Sequence, residues 1–201
     1  MPLEIIRNDI VNMKVDAIVN SANPDPVVGS GVDAGIHKKA GPSLWEARKK
    51  IGPIEPGNAC ITEGYNLNAR YVIHTAGPVW KNGLFKEEEC LASCYRNSLY
   101  LAKQYHCSSI AFRLISTGNY GFPKPRALQI AIEQIHDFLL KYEMRVYLVV
   151  FEKESYVLSE KLYQSIKSYI DENYIQEKSF EEYEACKSTH WCSSLWKIYN
   201  I

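Results

Sequence analysis

The chain has 201 residues, 46% of them hydrophobic and 23% charged, which suits one globular domain, or one plus a short appendage, with a sizeable core. Its 23 Lys and Arg balance 23 Asp and Glu, so no net field draws nucleic acid or a membrane surface, and a phosphate bound here must be held by local backbone dipoles. No apolar run approaches the ~18 residues of a membrane span, and the N-terminal MPLEIIRNDI has no basic stretch followed by an apolar one, so the expectation is a cytoplasmic protein.

In chain order, Leu3 to Ile6 reads as a strand and Asn8-Asp9-Ile10 as the turn after it. Ala17 to Asn20 is a second strand, which runs into a polar, Asn-rich turn and then a loop with Gly29 and Gly31. Glycine lacks a Cβ and tolerates positive φ, so such a loop brings backbone N–H groups close to an anion. The helix expected over Val32 to Lys50 points its N-terminal dipole at the same place, and Asp33 and His37 lie one turn apart on one face of it. Ala59 to Glu63 and Tyr71 to Thr75 are strands, Glu87 to Tyr105 a helix, and Ser109 to Leu114 an apolar strand interrupted only by Arg113. Phe122-Pro-Lys-Pro-Arg126 opens the next helix, Pro125 to Tyr142, with Ala127, Ile130, Ala131, Gln134, Ile135 and Phe138 in amphipathic register. Val146 to Phe151 is the last strand and Ser159 to Tyr174 the last helix. This alternation predicts an α/β fold with three layers, helices on both faces of a mixed, mostly parallel sheet of about six strands. Ligands in such sheets bind at the carboxyl ends of strands, where both the glycine loop and the Ser116 to Tyr120 loop fall.

Beyond Tyr174 the pattern becomes polar, then aromatic, with no clear period, so residues 1–174 are expected to form the domain and 175–201 a tail, not a second domain. Cys60, Cys90, Cys94, Cys107, Cys186 and Cys192 are scattered without CxxC spacing and read as free thiols. Cys186, His190 and Cys192 lack a fourth ligand and a familiar zinc spacing, so no metal is expected.

Several segments together resemble one family. Asn20-Ser-Ala-Asn23, Gly-Ser-Gly-Val-Asp33, Ile36-His37 and Ala40-Gly41 resemble the signature of macrodomains, the ADP-ribose-binding α/β modules, in their MacroD-type hydrolytic branch. Leu114 to Pro123 is similar to the family's second phosphate loop, Asn8-Asp9-Ile10 to its adenine-contacting turn and Tyr71 to Pro78 to its central strand. The likeness runs from about Leu3 to about Ile170.

The resemblance implies that Asp9 and Ile10 meet the adenine, Asp9 accepting its exocyclic amine, with Phe151 over the ring. It implies that Val28, Gly29, Ser30, Gly31 and Val32 wrap the phosphate leading to the distal ribose. Ser116, Thr117, Gly118, Asn119 and Tyr120 would hold the diphosphate from the other side, Tyr120 flanking the distal ribose. Three residues would carry chemistry: Asn23 fixes the ribose hydroxyls, Asp33 orients or deprotonates a water, and His37 orients Asp33. Helix capping is an ordinary alternative for Asp33, and turn capping for Asp9. Asn20 reads as a strand-end structural residue and His74 as a core histidine. The chain departs from the family at Val28 and Ser30, where glycines often stand, and at Arg113, where proline often does. Ser116 lacks the Gly-x-Ser-x-Gly context of a nucleophile elbow.

The implied activity is hydrolysis of mono-ADP-ribosyl groups from protein acidic residues, or deacetylation of O-acetyl-ADP-ribose, by a monomer that takes ADP-ribose or an ADP-ribosylated protein and uses no cofactor. A non-catalytic reader of ADP-ribosylated proteins is the alternative. A binder of other nucleotides or RNA ends is a third reading, which the neutral charge balance disfavours.

Overall fold

A computed structural model describes residues 3–150. Phe151, the expected helix 159–174, the boundary near Tyr174, the tail, and Cys186, His190 and Cys192 lie outside the described residues.

The elements alternate as the sequence pattern requires: β1 (Leu3–Arg7), a 3-10 turn (Ile10–Asn12), β2 (Ala17–Ser21), α1 (Val32–Ala40), α2 (Pro42–Ile51), β3 (Ala59–Glu63), β4 (Tyr71–Thr75), α3 (Glu87–Gln104), β5 (Ser109–Phe112), α4 (Lys124–Leu139) and β6 (Arg145–Val150). The strands form one sheet in the order β1-β6-β5-β2-β4-β3, parallel except for β3, which runs antiparallel to β4.

Alternation along each strand sends side chains to both faces, and each face is covered by helices. Ile18, Val72, Ala111 and Val149 meet Ile36, Ala40 and Leu44 of α1 and α2 on one side. Phe112 faces the other, its ring 5.2 Å from that of Tyr95 on α3, and α4 buries Ala127, Ile130, Ala131, Ile135 and Phe138. A fully buried Ile, Leu or Phe contributes roughly 1.5–3 kcal/mol relative to an exposed one, so these two layers fix the sheet. The carboxyl ends of β1, β2, β5 and β6 therefore open on one edge, where the loops after β2 and β5 meet.

One expected element is corrected. The helix predicted over Val32 to Lys50 is two helices, broken at Gly41, whose φ is +89°. Pro42 has no N–H and disfavours a helical residue before it, and a Cβ on Gly41 would stand 3.0 Å from Asn66 Nδ2. Ile36, Ala40 and Leu44 keep helical spacing across the break, so periodicity alone does not detect it. Elsewhere β5 ends two residues and α4 three residues before the predicted limits. Among the described residues no helix is long and apolar enough to cross a membrane, and Cys60, Cys90, Cys94 and Cys107 are free thiols.

Candidate active site

The loops after β1, β2 and β5, with the end of β6, enclose a crevice of ≈ 480 Å³. At one end stand Asp9, Ile10, Val149 and Val150. Gly29, Ser30, Gly31 and Val32 form one wall, and Ser116, Thr117, Gly118, Asn119 and Tyr120 the other; Asn23 and Asp33 line it as well. The expected site residues among the described ones thus gather in one place except Val28 and His37: Val28 does not reach the crevice with the rest of its loop, His37 lies behind Asp33, and both line a separate small cavity. Phe151 is outside the described residues.

Asp9 caps the 3-10 turn, Oδ1 accepting from Val11 N at 3.2 Å. The capping reading thus holds here, and Asp9 lines the crevice as well.

The wall after β2 is shaped by Asp33, in the first turn of α1 and only 4% exposed. It does not cap that helix: Gly31, at φ +62°, occupies the N-cap position. Instead Oδ2 accepts from Gly29 N and Oδ1 from Asn20 Nδ2, both at 2.5 Å, and His37 Nε2 lies 3.5 Å from Oδ1. The Gly29 N–H, expected on a phosphate, is here committed to holding this carboxylate. Burial keeps His37 below its usual pKa of 6.5, against the opposing pull of Asp33 and helped by the nearby Arg48, so it sits beside Asp33 as a neutral ring at pH 7.

Asn23 ties the two walls together. Its Nδ2 donates to Val27 O at 3.0 Å, and its Oδ1 accepts from the Tyr120 hydroxyl at 3.3 Å. A second tie crosses the outer rim, where Asn119 Nδ2 donates to Ser30 Oγ at 2.7 Å. The hydroxyl that departs from the family's glycine thereby gains a partner on the opposite loop.

The wall after β5 is a preformed turn. Gly121 N donates to Gly118 O, Phe122 N to Ser116 O, and Thr117 Oγ1 to Leu114 O, all within 3.0 Å. Ser116 takes φ +62°, a left-handed backbone that a residue with a Cβ adopts at a cost. Strain of this kind persists only where surrounding packing imposes it, and Ser116 is buried against Gly77.

Four residues outside the expected set bear on the site. Asn20, expected as structural, is completely buried and holds Asp33 directly. Arg48 of α2, 3% exposed, donates to the carbonyls of Asn23 (3.2 Å), Pro24 (3.0 Å) and Gly52, which fixes the backbone beneath Asn23. Its signal was present as the next residue in the Ile36, Ala40, Leu44 spacing, a charge on a buried stripe. Arg113 and Lys124 line the crevice and add cationic side chains to its walls. The chemistry on offer is therefore an oriented carboxylate beside two loops that line a crevice of ≈ 480 Å³.

Comparison with known proteins agrees with this geometry. The family model described as Macro domain matches residues 19–131. A macro domain-containing protein of Methanosarcina mazei is 52% identical over 155 residues, covering 76% of this chain and 83% of that protein. The O-acetyl-ADP-ribose deacetylase of Cronobacter sakazakii is 43% identical over 166 residues, covering 80% of this chain and 92% of its own length. Among solved structures, a variant of the Oceanobacillus iheyensis macrodomain with ADPR superposes with a TM-score of 0.77 at 39% identity, over 85% of this chain and 94% of that one.

Proposed function

The chain belongs to the macrodomain family, and from that membership we propose that it binds ADP-ribose and hydrolyses O-acetyl-ADP-ribose or mono-ADP-ribosyl groups on protein acidic residues. The ligand lies with adenine at Asp9 and Ile10, its diphosphate between the Gly29 to Val32 and Ser116 to Tyr120 loops, and its distal ribose against Asn23 and Tyr120. Lys124 and Arg113 offset part of the diphosphate charge. The binding module is residues 1–174 and the remainder a tail. The free thiols among the described residues support a cytoplasmic location.

For the acetyl ester, a water placed between Asp33 and the substrate phosphate attacks the acyl carbonyl. Asp33 takes its proton and returns it to the ribose oxygen as the ester C–O bond breaks, so the ribose leaves as a hydroxyl and the acetyl group as acetic acid, which loses its proton to solvent as acetate. Asn23 holds the ribose so that this attack stays in line, and His37 and Asn20 keep the carboxylate from turning. Fixing water and carbonyl in this way converts a bimolecular step into one within the complex.

The observation that carries this reading is Asp33 itself. A carboxylate needed only as a helix cap would bond its own first turn, whereas this one is gripped by Asn20 from the sheet and Gly29 from the loop, at the floor of the crevice. The reader alternative has its own support, because both Asp33 oxygens already accept a bond and Asn23 is already paired with Val27 and Tyr120.

Turnover of O-acetyl-ADP-ribose and of a glutamate-modified protein, with calorimetry on ADP-ribose, ADP and AMP, separates the readings. A hydrolase releases ADP-ribose from at least one substrate. A reader binds ADP-ribose in preference to ADP and AMP and releases none.

A further inference from the structure

Behind Asp33 runs a chain of buried polar groups that the reaction does not touch. Asn20 of β2 stands directly beside His74 of β4 in the parallel register. Thr62 of β3, paired with Val72, lies diagonally next to His74. All three are nearly or wholly buried, on the sheet face covered by α1. Asn20 Nδ2 lies 2.5 Å from Asp33 Oδ1 and 3.2 Å from His74 Nδ1, and His74 Nε2 lies 3.0 Å from Thr62 Oγ1. Thr62 Oγ1 in turn reaches Val72 O at 3.5 Å.

The donors and acceptors allow one arrangement. An amide nitrogen only donates, so His74 Nδ1 must be an unprotonated acceptor and its single proton must sit on Nε2, donated to Thr62. The Asn20 amide gives one N–H to His74 and the other to Asp33. Turned over, it would set its oxygen against a carboxylate oxygen of Asp33, two acceptors at hydrogen-bond distance with no proton between them, whichever tautomer His74 took. Asn20 Oδ1 has no partner among the described residues, so the orientation is bought at the expense of that oxygen. Burial, with Arg48 and His37 alongside, lowers the His74 pKa to about 3, which keeps the ring neutral.

We propose that His74, held in its Nε2–H form by Thr62, is a positioning residue that sets the Asn20 amide and through it the Asp33 carboxylate. The proposal rests on the hydrolase reading for its kinetic consequence, but not for its structural one. Its role is orientation alone, since His74 does not line the crevice.

Two measurements test it on the full chain. Nitrogen-15 NMR of the histidine rings, with His74 assigned by comparison with His74→Asn, should show His74 as a neutral Nε2–H tautomer at pH 7. An Nδ1–H tautomer or an imidazolium overturns the proposal whether or not the protein is an enzyme. In turnover of O-acetyl-ADP-ribose, His74→Leu should lower kcat about tenfold or more with KM within about threefold, because a displaced carboxylate costs rate more than binding. His74→Asn returns an acceptor to the Nδ1 position and should recover most of that loss. Equal kcat in the Leu and Asn variants, or a parallel change in KM, overturns it. If His74→Leu fails to fold, Thr62→Val serves, with the same expected split at smaller amplitude. Absence of turnover in the unaltered protein refutes the hydrolase reading and leaves the tautomer measurement to decide the relay.

Discussion

Gly77→Ala tests how tightly the second phosphate loop is set by the central strand. Gly77 follows β4, and a Cβ there would stand 2.2 Å from Ser116 Oγ and 2.7 Å from Ile115 Cγ2, where ordinary contact begins at 3.4 Å. Ser116 must therefore retreat by about 1.2 Å, the gap between 2.2 and 3.4 Å. Both neighbours are buried, Ile115 at 1% and Ser116 at 5% exposed, so neither swings into solvent, and the shift passes into the backbone of the loop. Overpacking of this kind costs about 1–3 kcal/mol, a fall in Tm of roughly 2–12 °C for a chain of this size. Because Ser116 begins the wall at Thr117 to Tyr120, ADP-ribose affinity should fall at least about tenfold, or 1.4 kcal/mol. Thermal denaturation and calorimetry on the same preparation read both effects. A lowered Tm with affinity within about twofold of the parent would refute the coupling between β4 and the loop.

Three further outcomes follow from the same geometry. A Cβ on Gly118 meets nothing within 4 Å, so Gly118→Ala should leave Tm unchanged while weakening ADP-ribose binding; equal affinity in calorimetry would remove that wall from the ligand's path. Ser30→Ala deletes the acceptor for Asn119, a largely exposed bond of about 0.5–1.5 kcal/mol, and should speed ADP-ribose dissociation about 2- to 10-fold in stopped flow; an unchanged rate would mean the rim bond does not help close the crevice. Stability should fall as pH drops below 6.5, because burial holds His74 at about 3 and His37 below its ordinary value, so the unfolded chain takes up protons that the fold refuses. The slope from His74 approaches ~1.4 kcal/mol per pH unit down to its folded pKa, whereas Glu87, at about 2, and Glu88 and Asp16, also lowered, act below the ordinary carboxylate range. Chemical denaturation from pH 7 to 5 reads this, and a flat profile would contradict it.

The fold was largely legible because its signals are local. Strand and helix runs alternate, and Ile18 with Asn20 and Val72 with His74 already show the period of two that places polar side chains at the carboxyl ends of β2 and β4. The site's membership was legible from the spacing of Asn23 and Asp33 and from the two loops. What escaped depends on contacts between distant segments. Asn20 looks like any polar strand end until His74, 54 residues away, is set beside it. Arg48 looks like a surface cation until α2 folds under the carbonyl of Asn23. Gly29 looked like a phosphate donor because loop composition says where an N–H can go and not which acceptor, phosphate or Asp33, lies closer. The break at Gly41 escapes for the opposite reason: the apolar stripe of Ile36, Ala40 and Leu44 runs regularly through the Gly-Pro pair.

The central claim, that Asp33 and Asn23 carry turnover within an ADP-ribose site, is tested most directly by the Asn23→Ala, Asp33→Ala double variant. Hydrolysis of O-acetyl-ADP-ribose and calorimetric binding of ADP-ribose are to be measured side by side with the parent. The account predicts that turnover is lost while ADP-ribose binding remains measurable. Turnover equal to the parent's would contradict it.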